Sequence, residues 1–97
     1  EESIVNFENS SLHNVNFGIA SKDKSLVTAE NIIITNAKTA GLAAYQKKNT
    51  FGPAEIITTN ESISQTDIKF MVQLGSKVIS NGNEIKQVSF NAKSLYD

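Results

Sequence analysis

Two similar runs each close on residues that could contact a ligand. Lys22 and Asp23 close the run Gly18-Ile19-Ala20-Ser21-Lys22-Asp23. Tyr45, Lys47 and Lys48 close the run Gly41-Leu42-Ala43-Ala44-Tyr45-Gln46-Lys47-Lys48. If the runs lie side by side, Lys22 and Lys47 become neighbours, with Asp23 and Tyr45 next to them. An aromatic face flanked by an ammonium and a carboxylate is a contact for a sugar or an acidic glycan. The same residues also make an ordinary solvated rim, in which Tyr45 packs on the aliphatic stems of lysines. Phe51 lies just before Gly52-Pro53, in a segment from Gln46 to Pro53 that interrupts an otherwise regular pattern. Loops on rigid scaffolds carry function disproportionately, so this segment, with Phe51 as a lid or a ligand contact, is the first place to look.

Catalytic chemistry has thinner support. Glycoside hydrolysis needs two carboxyl groups flanking one bond. Glu8 and Glu30 share a register in the alignment below and would repel each other unless a cation or a sugar lay between them. Asp23 and Asp67 fall at different corners. His13 is the only histidine and stands at a polar corner. One His with no companion makes neither a metal site nor a Ser-His-Asp arrangement. The five glycines are isolated, so no phosphate-cradling loop is formed. Asn9-Ser10-Ser11 and Asn60-Glu61-Ser62 match the glycosylation acceptor pattern, and both are read as coincidence. The sequence assigns no catalytic residue, metal ligand or cofactor.

What must position these residues is a β structure. Ile and Val, which prefer strands, lead the aliphatic residues, and Asn, Ser and Thr, which favour turns, are abundant. With 97 residues the chain makes one domain, read as a single segment over 1–97. Net charge is −1, and all nine basic residues are Lys. The basic stripe of a nucleic-acid binder is absent, so nucleic acid is not expected as a partner. There is no Cys, which excludes disulfides and thiolate metal sites. No apolar run is long enough to span a membrane as a helix. The chain opens Glu1-Glu2-Ser3 without Met, and the expectation is a processed protein or a piece of a longer one.

An internal repeat organises the strands. An Asn follows an apolar stretch at Asn9, Asn31 and Asn60, and alignment on it produces four rows that begin at Ile4, Leu26, Glu55 and Lys77. Each row has a second strand closed by an aliphatic residue (Leu12, Ile34, Ile63, Ile85). A second polar corner follows at Asn14, Asn36, Gln65 and Gln87, and then a third strand. Rows one and two lie 22 residues apart. The step to row three is 29, lengthened by the insertion from Lys47 to Gly52. Three short strands per turn is the pattern of a right-handed parallel β-helix, here of about four short coils. Stacking coils about 4.8 Å apart pairs each strand with those above and below and builds a narrow aliphatic column. Asn at a corner tolerates the left-handed backbone conformation, and stacked Asn side chains can form a ladder. The alternative is an antiparallel β-sandwich, but the only good hairpin dipeptide is Asn81-Gly82.

From Asn14 to Asn60 the chain resembles a known pattern. The residues that carry the likeness are Gly18-Ile19-Ala20-Ser21-Lys22-Asp23, Ser25 with the strand after it, Ala43-Ala44-Tyr45-Gln46-Lys47-Lys48, and Phe51-Gly52. They resemble the right-handed β-helix repeat regions of bacterial surface proteins, including those found beside spore-coat-protein-H-type kinase-like domains. The resemblance covers about half the chain and brings no catalytic residue with it. It implies a pectate-lyase-like fold and a setting at the bacterial cell surface or outside the cell.

The expected function is therefore non-catalytic: a structural or binding β-helix segment of a bacterial envelope protein, with a glycan or another surface protein as partner. The site residues are Tyr45, Lys47, Lys48, Lys22, Asp23 and Phe51. A fragment of a carbohydrate-active lyase or hydrolase is the first alternative. An oligomerising stalk or adhesin, self-associating through its coil ends, is the second.

Overall fold

A computed structural model describes residues 4–46 and 52–88 of the chain. They form six strands: β1 (Ile4–Lys22), β2 (Leu26–Tyr45), β3 (Glu55–Ser64), β4 (Phe70–Val72), β5 (Lys77–Ser80) and β6 (Asn83–Glu84), with no helix among the described residues. The sheet runs β1-β2-β3-β5-β6, with β4 also pairing to β2, and does not close on itself. Every strand pairing is parallel except that of β5 with β6.

The register follows the repeat. Leu12 faces Ile34, and Ile34 faces Ile63. Val5, Val27, Ile56 and Val78 make a second column. Ile19, Leu42 and Phe70 make a third. The two opening runs stack on one another, with Ile19 against Leu42, Ala20 against Ala43 and Lys22 against Tyr45. A register shift between Val15 and Phe17 absorbs the one residue by which their spacing exceeds the row spacing.

The long strands are not straight. Fully extended, the 19 residues of β1 would span about 60 Å, yet the longest dimension of the molecule is 33 Å. The bends fall at the polar corners. Asn9, Asn31 and Asn60 have φ of 51°, 57° and 54°, and Asn14, Asn36 and Gln65 have 56°, 56° and 51°. A left-handed backbone costs roughly 1–2 kcal/mol for most residues, and Asn bears it best. This is why one residue type recurs at one corner. The three sides converge on one apolar cluster that holds Val27, Ile34, Leu42, Ile56 and Val78, all nearly or fully buried.

Gly18 and Gly41 also have a packing reason. A Cβ on Gly18 would lie 2.6 Å from Ile34 Cδ1, and one on Gly41 would lie 2.9 Å from Ile63 Cδ1 and 2.7 Å from the Lys69 carbonyl oxygen. The third side can approach the isoleucines of the second only where a side chain is missing. The glycine that opens each run is the space into which the isoleucine column fits.

Row four departs from the alignment. Asn83-Glu84-Ile85 was expected to continue in parallel beneath Glu61-Ser62-Ile63. Instead Asn81 and Gly82 both have positive φ, 50° and 86°, which is the requirement of a tight two-residue hairpin turn. The chain reverses, and Asn83 pairs antiparallel with Ser80. Ile85 still packs against the core, donating its backbone N–H to Val78 at 2.9 Å. Val88 then rejoins the third side by exchanging backbone bonds with Val72 and Leu74, both 2.8 Å. The fourth row cuts across the end of the column rather than tracing a full set of corners.

Candidate functional site

The predicted contact group is only partly assembled. Lys22 and Tyr45 are brought together as strand partners, and the Asp23 N–H donates to the Tyr45 carbonyl at 3.1 Å. Lys22 is exposed. Tyr45, however, is only 3% exposed and belongs to a small buried cluster with Ala40 and Ala43, against which Phe17 and Met71 pack. This cluster is separate from the main core, since Leu42 and Ala44 belong to that core and side chains alternate along a strand. The tyrosine ring is used in packing and offers no open face for a sugar. Asp23 is likewise buried, at 5% exposure, and sits in a turn at φ 52°. Ordinary exposure was expected because the runs end in charge. Instead Tyr45 packs with Ala40 and Ala43, against Phe17 and Met71. Lys47, Lys48 and Phe51 lie outside the described residues. Where the insertion returns, the Lys24 N–H is shared between the Gly52 and Pro53 carbonyls, both 3.2 Å away. Gly52 has φ 91°, and a Cβ there would sit 2.8 Å from Lys24 Cγ.

The more open chemistry lies on the first side of the rows. Asn6, Thr28 and Ile57 form one column on its outer surface, and Glu8, Glu30 and Thr59 form the next. Between them lies an open cleft of about 370 Å³. Thr28 donates its hydroxyl proton to the Asn6 side-chain carbonyl across the strands. Glu8 and Glu30 are direct Cα partners, as the repeat predicts, and both are exposed. Amide, hydroxyl and carboxylate groups thus repeat at the strand spacing, a surface able to hydrogen-bond a chain of hydroxyl groups. The alignment contained this cleft, because the odd–even alternation around the buried Val27 and Ala29 turns Asn6, Thr28, Glu8 and Glu30 outward. Of these, sequence reasoning picked out only the two glutamates.

The corners beside the cleft carry an amide ladder. Asn31 donates its Nδ2–H to Asn9 Oδ1 at 2.9 Å, Asn60 donates to Asn31 Oδ1 at 2.6 Å, and at the second corner Asn36 donates to Asn14 Oδ1 at 2.9 Å. Each bond runs in the same sense, from the later row to the earlier one. The ladder holds adjacent corners in register and keeps the outward columns aligned. His13 is an exposed strand residue, and among the described residues no three metal-ligating side chains are grouped. No protein-family model matches this chain, and neither a curated protein nor a solved structure does.

Proposed function

We propose that the chain is a non-catalytic segment of a right-handed parallel β-helix from a bacterial surface or extracellular protein, and that it serves as a rigid scaffold presenting a glycan-binding face. The observation that carries the scaffold reading is the register. Asn9, Asn31 and Asn60 occupy equivalent corners, bonded side chain to side chain across three rows, while three sides of each row face one apolar cluster. Stacked rows of this kind are stiff, because each is held by its neighbours along a whole strand. The glycan reading is supported by the outward columns of Asn6, Thr28, Glu8, Glu30 and Thr59 around the open cleft.

The competing reading, a fragment of a polysaccharide lyase or hydrolase, draws on the Glu8–Glu30 pairing, which places two carboxylates on one face. One experiment separates the two. The purified chain is incubated with a panel of bacterial and plant polysaccharides, and bound protein is measured together with newly formed reducing or unsaturated ends. Binding without new ends, weakened in a variant carrying both Asn6→Ala and Glu30→Ala, is the expected result. New ends that disappear in Glu8→Gln or Glu30→Gln would replace the scaffold with an enzyme. Neither binding nor product would remove the glycan and leave the structural role.

A further inference from the structure

Asn81-Gly82 is the one Asn-Gly step in the chain, and that step has a chemistry of its own. A peptide nitrogen can attack the side-chain amide of the residue before it, and glycine, with no Cβ, obstructs the approach least. At this step the Gly82 nitrogen would give up its proton and bond to Asn81 Cγ, and Nδ2 would leave as ammonia. Water would then open the five-membered imide. Cleavage of the new Cγ–N bond gives aspartate, and cleavage of the backbone C–N bond gives isoaspartate. The net change is one water consumed and one ammonia released. Both residues are exposed, and a Cβ on Gly82 would meet nothing within 4 Å. Water and the ring therefore have room.

What the folded turn withholds is the geometry. Asn81 Oδ1 accepts the Glu61 N–H at 2.8 Å, and Nδ2 donates to the Glu61 carbonyl at 2.9 Å. Both amide atoms are held against row three, so Cγ between them cannot meet the Gly82 nitrogen until both bonds break. The rest of the turn resists the same movement. The Asn81 N–H donates to the Thr58 carbonyl at 3.0 Å, Asn83 pairs with Ser80, and Ile85 packs against the core. We infer that Asn81-Gly82 is a gated deamidation site: closed while row four is seated, reactive when the turn opens, and unable to close again once it has reacted. Neither product rebuilds the clamp. Aspartate puts a carboxylate oxygen where Nδ2–H met the Glu61 carbonyl, against a residue whose own side chain is a carboxylate. Isoaspartate adds a methylene to the main chain, out of step with a two-residue turn. Row four thus keeps a permanent record of having opened. None of this draws on the glycan face.

The test incubates the full chain at mildly alkaline pH, folded in buffer and unfolded in urea. Digestion after lysine releases Val78–Lys86. Fragmentation in a mass spectrometer then separates conversion at Asn81 from conversion at Asn83, and isoaspartate is assigned by its selective enzymatic methylation. Asn81 should convert in urea and at least about tenfold more slowly in the folded chain, since two hydrogen bonds oppose the opening. Ile85→Ala leaves the Asn-Gly step intact but withdraws the side chain that anchors the returning limb. Its folded rate should rise several-fold while its rate in urea stays that of the parent. Asn81→Asp reproduces one product and should speed hydrogen exchange at Asn83–Ile85 while Val27–Ile34 stays protected. Four results would overturn the inference: no conversion of Asn81 in urea, equal rates folded and unfolded, an unchanged folded rate in a folded Ile85→Ala, or parent-like exchange at Asn83–Ile85 in Asn81→Asp. Should Ile85→Ala fail to fold, the other three comparisons still decide.

Discussion

At one end of the column β1 pairs with β2 alone among the described residues, Val5 and Phe7 are half-exposed, and Asn9 and Asn14 accept from the row below. At the other, the chain reverses at Asn81-Gly82, lays Ile85 against the core and bonds the Asn81 side chain to both backbone groups of Glu61. Both ends are built from the same repeat. At Asn81 and Gly82 two consecutive residues with positive φ turn the fourth row back, whereas a single such residue at Asn9 or Asn31 bends it, and the same pairing at Asp23 and Lys24 leads into the parallel β2. A stack of parallel rows has no intrinsic stopping point, since each edge repeats the interface beneath it. In row four a tight turn and one side-chain amide take the place of a parallel strand beside Glu61. Ser80, which donates its hydroxyl proton to the Glu61 carboxylate at 2.7 Å, fixes that side chain in turn.

The comparison can be broken at its centre. Ile34 lies midway between the ends with no solvent exposure. Ile34→Asp would bury an unpaired charge, a cost beyond the 5–15 kcal/mol or so that holds a small domain together. The expected circular dichroism spectrum is that of an unfolded chain, and a folded variant would refute the common column. Gly41→Val comes next. Its Cβ has no room beside Ile63 and the Lys69 carbonyl, and about 3 kcal/mol of destabilisation, near the upper end for overpacking, is expected in urea titration. Gly75→Ala tests the contrast, because a Cβ there meets nothing within 4 Å and only its φ of 95° resists the change. About 1 kcal/mol is expected for it.

Smaller effects sharpen the difference between the ends. Asn81→Ala loses both bonds to Glu61 and the favoured turn residue, and about 2 kcal/mol is expected. It should also make the protein self-associate in sedimentation, because β3 regains a free edge. Asn9→Ala, on β1, removes a single ladder bond and the residue best suited to a φ of 51°, for which about 1.5 kcal/mol is expected. Equal stability losses for Asn9→Ala and Asn81→Ala would mean that the ends are not distinct in the way the bonding indicates.

Much of the frame was legible in the residues. The recurrence of Asn9, Asn31 and Asn60 marked the corners, and the aliphatic series Leu12, Ile34 and Ile63 marked one inward column, because both features depend on local backbone preference and side-chain alternation. At the rim of Lys22, Asp23 and Tyr45 the ends of the two runs stack as the repeat implies, and Tyr45 is buried with Ala40 and Ala43 against Phe17 and Met71. Burial of that ring depends on which residues the third side brings together from distant rows, and no local pattern records it. The outward cleft was legible in principle from the parity of Asn6 and Thr28, and was passed over because polar residues on a strand face are ordinary.

By itself the sequence determined the repeat, its spacings, the β class and the positions able to bear a left-handed backbone, all of which are properties of residues a few places apart. Only the tertiary structure decided which way row four turns. Asn81-Gly82 is compatible with a corner or with a reversal. The choice between them depends on whether Ile85 and Val88 find better partners across the column than along it. It also decided which faces remain open, because exposure at Val5 or Tyr45 is set by what lies one rung away, a neighbour 22 or more residues distant along the chain.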